Sequence, residues 1–180
     1  TARLPARARL AVDFLALSDD ELLSQCSVDT FRASGPGGQK RNKTESAVRL
    51  RHHPTGLQSQ AFESRSQHEN RDLALRRLRA TIALELRQPV DLEGYAPPPE
   101  LQRILPLGQA NRIGSRHRDF WPGVRALLDL FVATGCSVSE TAARLGVSTG
   151  QLSRFITSEP ELLRAVNALR ERAGFRLLRD

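Results

Sequence analysis

Ser34-Gly35-Pro36-Gly37-Gly38-Gln39-Lys40-Arg41-Asn42-Lys43 is the stretch that organises this chain. Three glycines and a proline run together, followed at once by Lys40, Arg41 and Lys43, so the segment is too polar to be core. Its backbone must take φ > 0 or pass very close to another molecule. The adjoining cations indicate that this molecule carries phosphate. The flanks make the stretch a loop between strands. Val28-Asp29-Thr30-Phe31-Arg32 alternates apolar and polar residues and predicts a strand leading in; Ala47 to His53 alternates again and predicts a strand leading out. Pro54-Thr55-Gly56 is a turn, after which Leu57 to Phe62 returns as a hairpin partner.

Helix signals surround this unit. Ser18-Asp19-Asp20-Glu21 is a capping box and predicts a short helix to about Gln25. Ser66-Gln67-His68-Glu69 opens a second, longer helix in which Leu73, Leu75, Leu78, Ile82, Ala83 and Leu86 keep helical spacing up to Arg87. Arg71, Arg76, Arg77 and Arg79 lie off that stripe and read as a solvated basic face of the same sign as the loop. Gln88-Pro89 ends the helix, and Pro97-Pro98-Pro99 predicts a stiff, extended linker. Beyond it the pattern is helical throughout. Trp121 to Ala133 has the spacing of a buried helix closed by Gly135; Ser137-Val138-Ser139-Glu140 opens a helix to about Leu145; Ser148 caps another through about Thr157; and a last helix starts near Pro160 and runs to about Gly174.

Composition narrows the partner. Lys and Arg number 27 against 20 Asp and Glu, a net charge of +7 over 180 residues, which suits a polyanion binder. No segment is apolar for long enough to span a bilayer, so no membrane partner is expected. Cys26 and Cys136 lie far apart without Cys/His spacing, so two reduced thiols are expected and neither a metal site nor a cofactor. Thr1 to Arg9 is Arg-rich and lacks an initial Met; a trimmed end, a processed end and the tail of a transit sequence all fit, while no secretory signal is visible. The expected location is the cytoplasm, or an organelle if a transit segment has been removed.

The residues around the loop resemble a known family. Arg32-Ala33-Ser34-Gly35-Pro36-Gly37-Gly38-Gln39 followed by Asn42-Lys43-Thr44-Glu45-Ser46-Ala47-Val48-Arg49 is similar to the GGQ domain of peptide chain release factors and ribosome-rescue peptidyl-tRNA hydrolases. Pro54-Thr55-Gly56 and Arg65-Ser66-Gln67-His68-Glu69-Asn70-Arg71 match further landmarks in order, and the resemblance covers roughly residues 28–87. It implies hydrolysis of the ester joining nascent peptide to tRNA, in the peptidyl transferase centre of the large ribosomal subunit. It further implies Gly37, Gly38 and Gln39 as the catalytic residues. The glycines would allow close approach to RNA, and the Gln39 backbone N–H would face the charge building on the ester carbonyl, a role worth about 2.7–4 kcal/mol where such donors have been removed. Arg32, Ser34, Lys40, Arg41, Asn42, Lys43, Arg49, Arg65, Gln67, His68 and Arg71 are the implied contacts to rRNA and tRNA. Two departures stand out. Lys40-Arg41 replaces a common His-Val, adding charge near rRNA, and Pro36 replaces the commoner Ala, which restricts the backbone before the glycines. His52, His53 and His68 are tied to no nucleophile by spacing and read as structural or RNA-facing.

The expected architecture is α+β. An N-terminal extension with a short helix (1–27) precedes a GGQ domain of short antiparallel sheet and long packing helix (28–90), a Pro-rich linker (91–112) and an all-α domain (113–180). In the last, Glu140 to Phe155 resembles a helix-turn-helix, with Ala142 at the crossing, Gly146 in the turn, Val147 and Leu152 buried, and Thr149, Gln151, Ser153 and Arg154 available to bases. The tripeptides by which release factors read stop codons are not visible, so release is expected to be codon-independent. The expected partners of a monomer are large-subunit rRNA and P-site peptidyl-tRNA, with ribosomal proteins or a rescue partner meeting residues 113–180. The alternatives are a non-catalytic ribosome- or RNA-binding factor and a helix-turn-helix DNA-binding regulator.

Overall fold

A computed structural model describes residues 12–32, 45–106 and 112–179. The whole glycine-rich stretch from Ser34 to Lys43, with Gly37, Gly38 and Gln39, lies outside the described residues. The chain forms two compact units, Val12–Ile82 and a second beginning at Ala83.

The first unit starts with α1 (Asp19–Ser24), whose reciprocal capping box is present: Glu21 N donates to Ser18 Oγ at 3.2 Å and Ser18 N to Glu21 Oε2 at 2.8 Å. Three antiparallel strands follow in the order β1 (Cys26–Phe31), β2 (Ala47–His52) and β3 (Gln58–Ala61). The pairings Phe31↔Ala47 and Val48↔Ala61 set the register. Because side chains alternate, Val48, Leu50 and His52 of the central strand are buried while Arg49 and Arg51 are exposed. The long helix α2 (Gln67–Glu85) buries Ala74, Leu75, Leu78 and Ile82 at helical spacing. Ser59 Oγ donates to the Ala74 carbonyl at 2.7 Å, tying β3 to α2.

Two arginines of the expected basic face prove structural. Arg79 donates to Asp19 at 2.7 Å and to the Leu17 and Leu15 carbonyls, holding α1 and the segment before it. Arg77 donates to the Gln60 carbonyl at 2.7 Å and pairs with Glu63 at 2.5 Å. His52 is fully buried, edge-on to Phe14 with ring centroids 4.7 Å apart. Its Nδ1 lies 2.8 Å from Thr55 Oγ1 and its Nε2 3.1 Å from Gln25 Oε1. Thr55 Oγ1 already accepts from Leu57 N, so its hydroxyl can donate to Nδ1 while Nε2–H donates to Gln25. That assignment makes the ring neutral, and burial, with His53 adding to it, pulls its pKa down.

The second unit is helical: α3 (Pro99–Ile104), α4 (Phe120–Ala133), α5 (Val138–Leu145), α6 (Thr149–Ser158) and α7 (Pro160–Arg172). Its core joins Leu101, Ile104, Phe120, Leu127, Phe131, Leu152 and Val166. The proline-rich stretch departs from the extended linker expected of it. Pro99 occupies a first-turn position, where a missing N–H costs nothing, and the helix it starts buries Leu101 and Ile104. Arg87, expected at the end of an amphipathic helix, is instead 5% exposed and faces the similarly buried Asp129 at 3.2 Å. Asp129 Oδ1 also accepts from Gln88 N at 3.0 Å. Burial lowers the Arg87 pKa to about 10, against the pull of Asp129. Helix ends follow their sequence signals. Gly135 and Gly146 both take φ near +70°, and Cys136 N donates back to the Phe131 carbonyl at 2.8 Å. Together the three-stranded sheet and seven described helices make the α+β protein expected from the sequence.

Candidate RNA-facing site at the base of the glycine-rich loop

Phe31 and Ala47 are paired neighbours on adjacent antiparallel strands, so residues 32–46 are a hairpin connection whose two ends leave the sheet side by side. Across that base Arg32 Nε lies 3.4 Å from Glu45 Oε1. Both side chains are more than half exposed, so the pair is worth at most about 1 kcal/mol and opens readily to another anion. Arg32, an expected RNA contact, therefore also acts as a clasp.

Behind the far end of the loop sits Asn70, fully buried in α2. Its Nδ2 donates to the Ser46 carbonyl at 2.6 Å and to the Ser64 carbonyl at 2.8 Å, while its Oδ1 accepts from Ser64 N at 2.9 Å. The turn it grips is braced further. Ser66 N donates to Ser64 Oγ at 3.0 Å, Ser64 Oγ donates to Glu69, and Glu69 N donates to Ser66 Oγ at 3.3 Å. The capping pattern read at Ser66 is thus closed through Ser64.

The first turns of α2 then project Gln67, His68 and Arg71 over the free edge of the sheet. With Val28, Thr30 and Val48 as floor they line a pocket of about 360 Å³. The floor is open because β1 is an edge strand; Val28 is 45% exposed. Arg71 Nη2 lies 3.0 Å from His68 Nδ1, and His68 Nε2 lies 3.5 Å from Asp72. A guanidinium N–H can only donate, so in this contact His68 Nδ1 is the acceptor. An apolar floor rimmed by an amide, an imidazole and a guanidinium suits a group that is part aromatic and part anionic.

The structure brings together Gln67, His68 and Arg71 and places them beside the strand that leads through Thr30 to Arg32. Arg65 is exposed in the turn before α2. Arg49 belongs to the opposite face of the sheet, where its guanidinium lies 5.1 Å from the Phe31 ring. Ser34, Gly37, Gly38, Gln39, Lys40, Arg41, Asn42 and Lys43 lie outside the described residues. Sequence reasoning did not single out Asn70 or Glu45. The only sign was Asn70's place in the landmark run, because a buried amide and an exposed one look alike in a string of letters. In the second unit, Thr149 and Arg154 of α6 are exposed as a base-reading helix would need. Gln151 instead directs its amide to the Pro106 carbonyl at 3.2 Å. Val147, expected buried, is half-buried.

A three-stranded antiparallel sheet with a long helix bracing it, and the Gly-Gly-Gln run in the sequence between the first two strands, are consistent with the small GGQ domain that the sequence resemblance implies. Residues 20–94 match the RF-1 domain. The chain is 63% identical over 54 residues to peptide chain release factor 2 of Variovorax paradoxus (strain S110), covering 30% of this chain and 15% of that protein. Similar relatives are peptide chain release factor 1 of Xylella fastidiosa (strain 9a5c), 56% identical over 55 residues (31% and 15%), and peptide chain release factor 2 of Buchnera aphidicola subsp. Baizongia pistaciae (strain Bp), 48% identical over 71 residues (39% and 19%). The chain thus spans less than a fifth of the length of these curated relatives.

Proposed function

We propose that this protein is a codon-independent release or ribosome-rescue factor that hydrolyses peptidyl-tRNA in the peptidyl transferase centre of the large ribosomal subunit. The observation that carries this reading is the Gly37-Gly38-Gln39 run within a hairpin connection of a sheet that matches the RF-1 domain. In the reaction, water adds to the ester carbonyl, the carbon–oxygen bond to tRNA breaks, and the proton ends on the tRNA hydroxyl. Negative charge builds on the carbonyl oxygen, and the Gln39 N–H is the proposed donor to it. A donor of that kind is worth about 2.7–4 kcal/mol, or 10²–10³ in rate. Gly37 and Gly38 let the backbone approach RNA closely. Arg32, Ser34, Lys40, Arg41, Asn42, Lys43, Arg65, Gln67, His68 and Arg71 hold rRNA and tRNA around it, with Arg49 on the sheet's other face. His52 is excluded from the chemistry because its ring is sealed inside the fold. The helical unit would meet rRNA, tRNA, a ribosomal protein or a rescue partner.

The test is peptide release from ribosomes stalled without a stop codon, run in parallel on isolated large subunits carrying peptidyl-tRNA. Release is expected from the wild type. Gly38→Ala and Gln39→Pro, which removes the backbone N–H, should each lower the rate by at least about 10² while the circular dichroism spectrum stays unchanged. Full activity in Gln39→Pro removes the backbone-donor role; no release by the wild type on either substrate removes the hydrolase reading.

A further inference from the structure

We infer that Asn70 is a positioning residue for the glycine-rich loop, holding its far end in register with the α2 turn that carries Gln67, His68 and Arg71. This rests on the hydrolase reading above. Three observations converge. Asn70 has no exposed surface, so its amide must be satisfied from within. Its Nδ2 serves two carbonyls, Ser46 at 2.6 Å and Ser64 at 2.8 Å, and its Oδ1 takes Ser64 N at 2.9 Å. And Ser46 is the residue at which the chain leaves the loop and joins the ladder, one before Ala47 pairs with Phe31.

The chemistry of the side chain is specific. A planar amide offers two N–H donors and one carbonyl acceptor on a short stem. Aspartate keeps the acceptor and loses both donors, setting a carboxylate against two carbonyl oxygens. Glutamine keeps all three groups but displaces them by one methylene. Leucine fills the space and satisfies nothing. A site that needed only volume would not require the amide, whereas one that must hold the Ser46 carbonyl at a fixed distance from α2 does. Arg32 and Glu45 restrain the loop base at the surface with a weak, exposed pair. Asn70 supplies the buried restraint. A reacting group misplaced by about 1 Å loses on the order of 10²-fold in rate, so a shift at Ser46 should register in the chemical step rather than in docking.

The experiment compares wild type, Asn70→Asp and Asn70→Gln by single-turnover release at saturating ribosome concentration, by affinity for the ribosome, and by hydrogen exchange of peptides covering residues 33–47. All are measured well below the unfolding midpoint of each variant, with circular dichroism as the check of fold. The expected result is a release rate about 10–100-fold lower, affinity within about twofold of wild type, and faster exchange confined to the loop and Ser46. Conservative rescue should show in Asn70→Asp on acidification, where a protonated carboxyl can again donate to the Ser46 carbonyl; its rate relative to wild type should rise as pH falls. Equal release rates in folded variants overturn the inference. So does a loss of activity that merely tracks the unfolded fraction, or failure of both variants to fold, since either makes Asn70 structural only. A wild type that releases no peptide defeats the hydrolase reading instead, and the exchange measurement then still decides whether Asn70 restrains the loop.

Discussion

Gly123→Ala should destabilise the helical unit, against what helix propensity alone predicts. Gly123 lies inside α4, and Ala there would ordinarily gain about 1 kcal/mol. An added Cβ, however, would sit 2.6 Å from the Glu100 carbonyl oxygen, 3.0 Å from its carbon and 3.1 Å from Ile104 Cδ1. The nearest atoms belong to backbone, which cannot swing aside as a long side chain can. α3 would have to move away from α4, carrying Leu101 and Ile104 out of the core they share with Phe120 and Val124. Overpacking costs about 1–3 kcal/mol, and a carbonyl contact this short belongs at the upper end. Offset by the propensity gain, the net loss is about 2 kcal/mol. For a unit of this size that lowers the midpoint by roughly 8–15 °C. The chain's single tryptophan, Trp121, lies two residues away and packs edge-on against Phe120 at 5.1 Å, so its fluorescence reports this unit directly. Urea and thermal melts followed at Trp121 should show an earlier transition. A midpoint equal to or above wild type would mean that α3 yields freely, and the close-packing argument would fail.

Gly150→Ala should act in the opposite direction. It lies in α6 with no positive φ and nothing within 4 Å of a new Cβ, so the same Trp121 melts should show a gain of about 0.5–1 kcal/mol. The sheet unit should weaken in mild acid through His52. Above about pH 6.5 the ring is neutral in folded and unfolded chains alike, and it contributes no slope. Below that, the unfolded chain takes up a proton that the buried ring resists. Stability should then fall by up to about 1.4 kcal/mol per pH unit until the lowered folded value is reached. Urea midpoints of the sheet unit from pH 8 to pH 5 check this; His52→Gln should lack that component, and an equal slope in both proteins would refute it.

Much of the fold is legible in short range. Caps at Ser18, Ser66, Ser137 and Ser148, stops at Gly135 and Gly146, and the period-2 pattern of Val48, Leu50 and His52 all place their elements within a residue or two of where they lie. The proline run misled because Pro99 permits two outcomes. In isolation Pro-Pro-Pro is extended, but at the first turn of a helix Pro is equally at ease, and the burial of Leu101 and Ile104 selects the helix. The candidate site was legible in part. The resemblance supplied Gln67, His68 and Arg71, but not that they share a pocket with Val28 and Thr30, nor that Arg49 faces the other way.

The sequence by itself determined the α+β class, the hairpin that carries the Gly-Gly-Gln run, and most helix boundaries, because each depends on dihedral preference, capping and periodicity among near neighbours. Only the tertiary structure decided which polar side chains are structural. Arg79 reaches back to Asp19, Arg87 meets Asp129, His52 meets Gln25, and Asn70 holds Ser46, across separations of 24 to 60 residues. A charge or an amide reads the same on a solvated face as in a buried network. Which it becomes is set by what the folded chain brings within about 3 Å of it, and no local pattern encodes that distance.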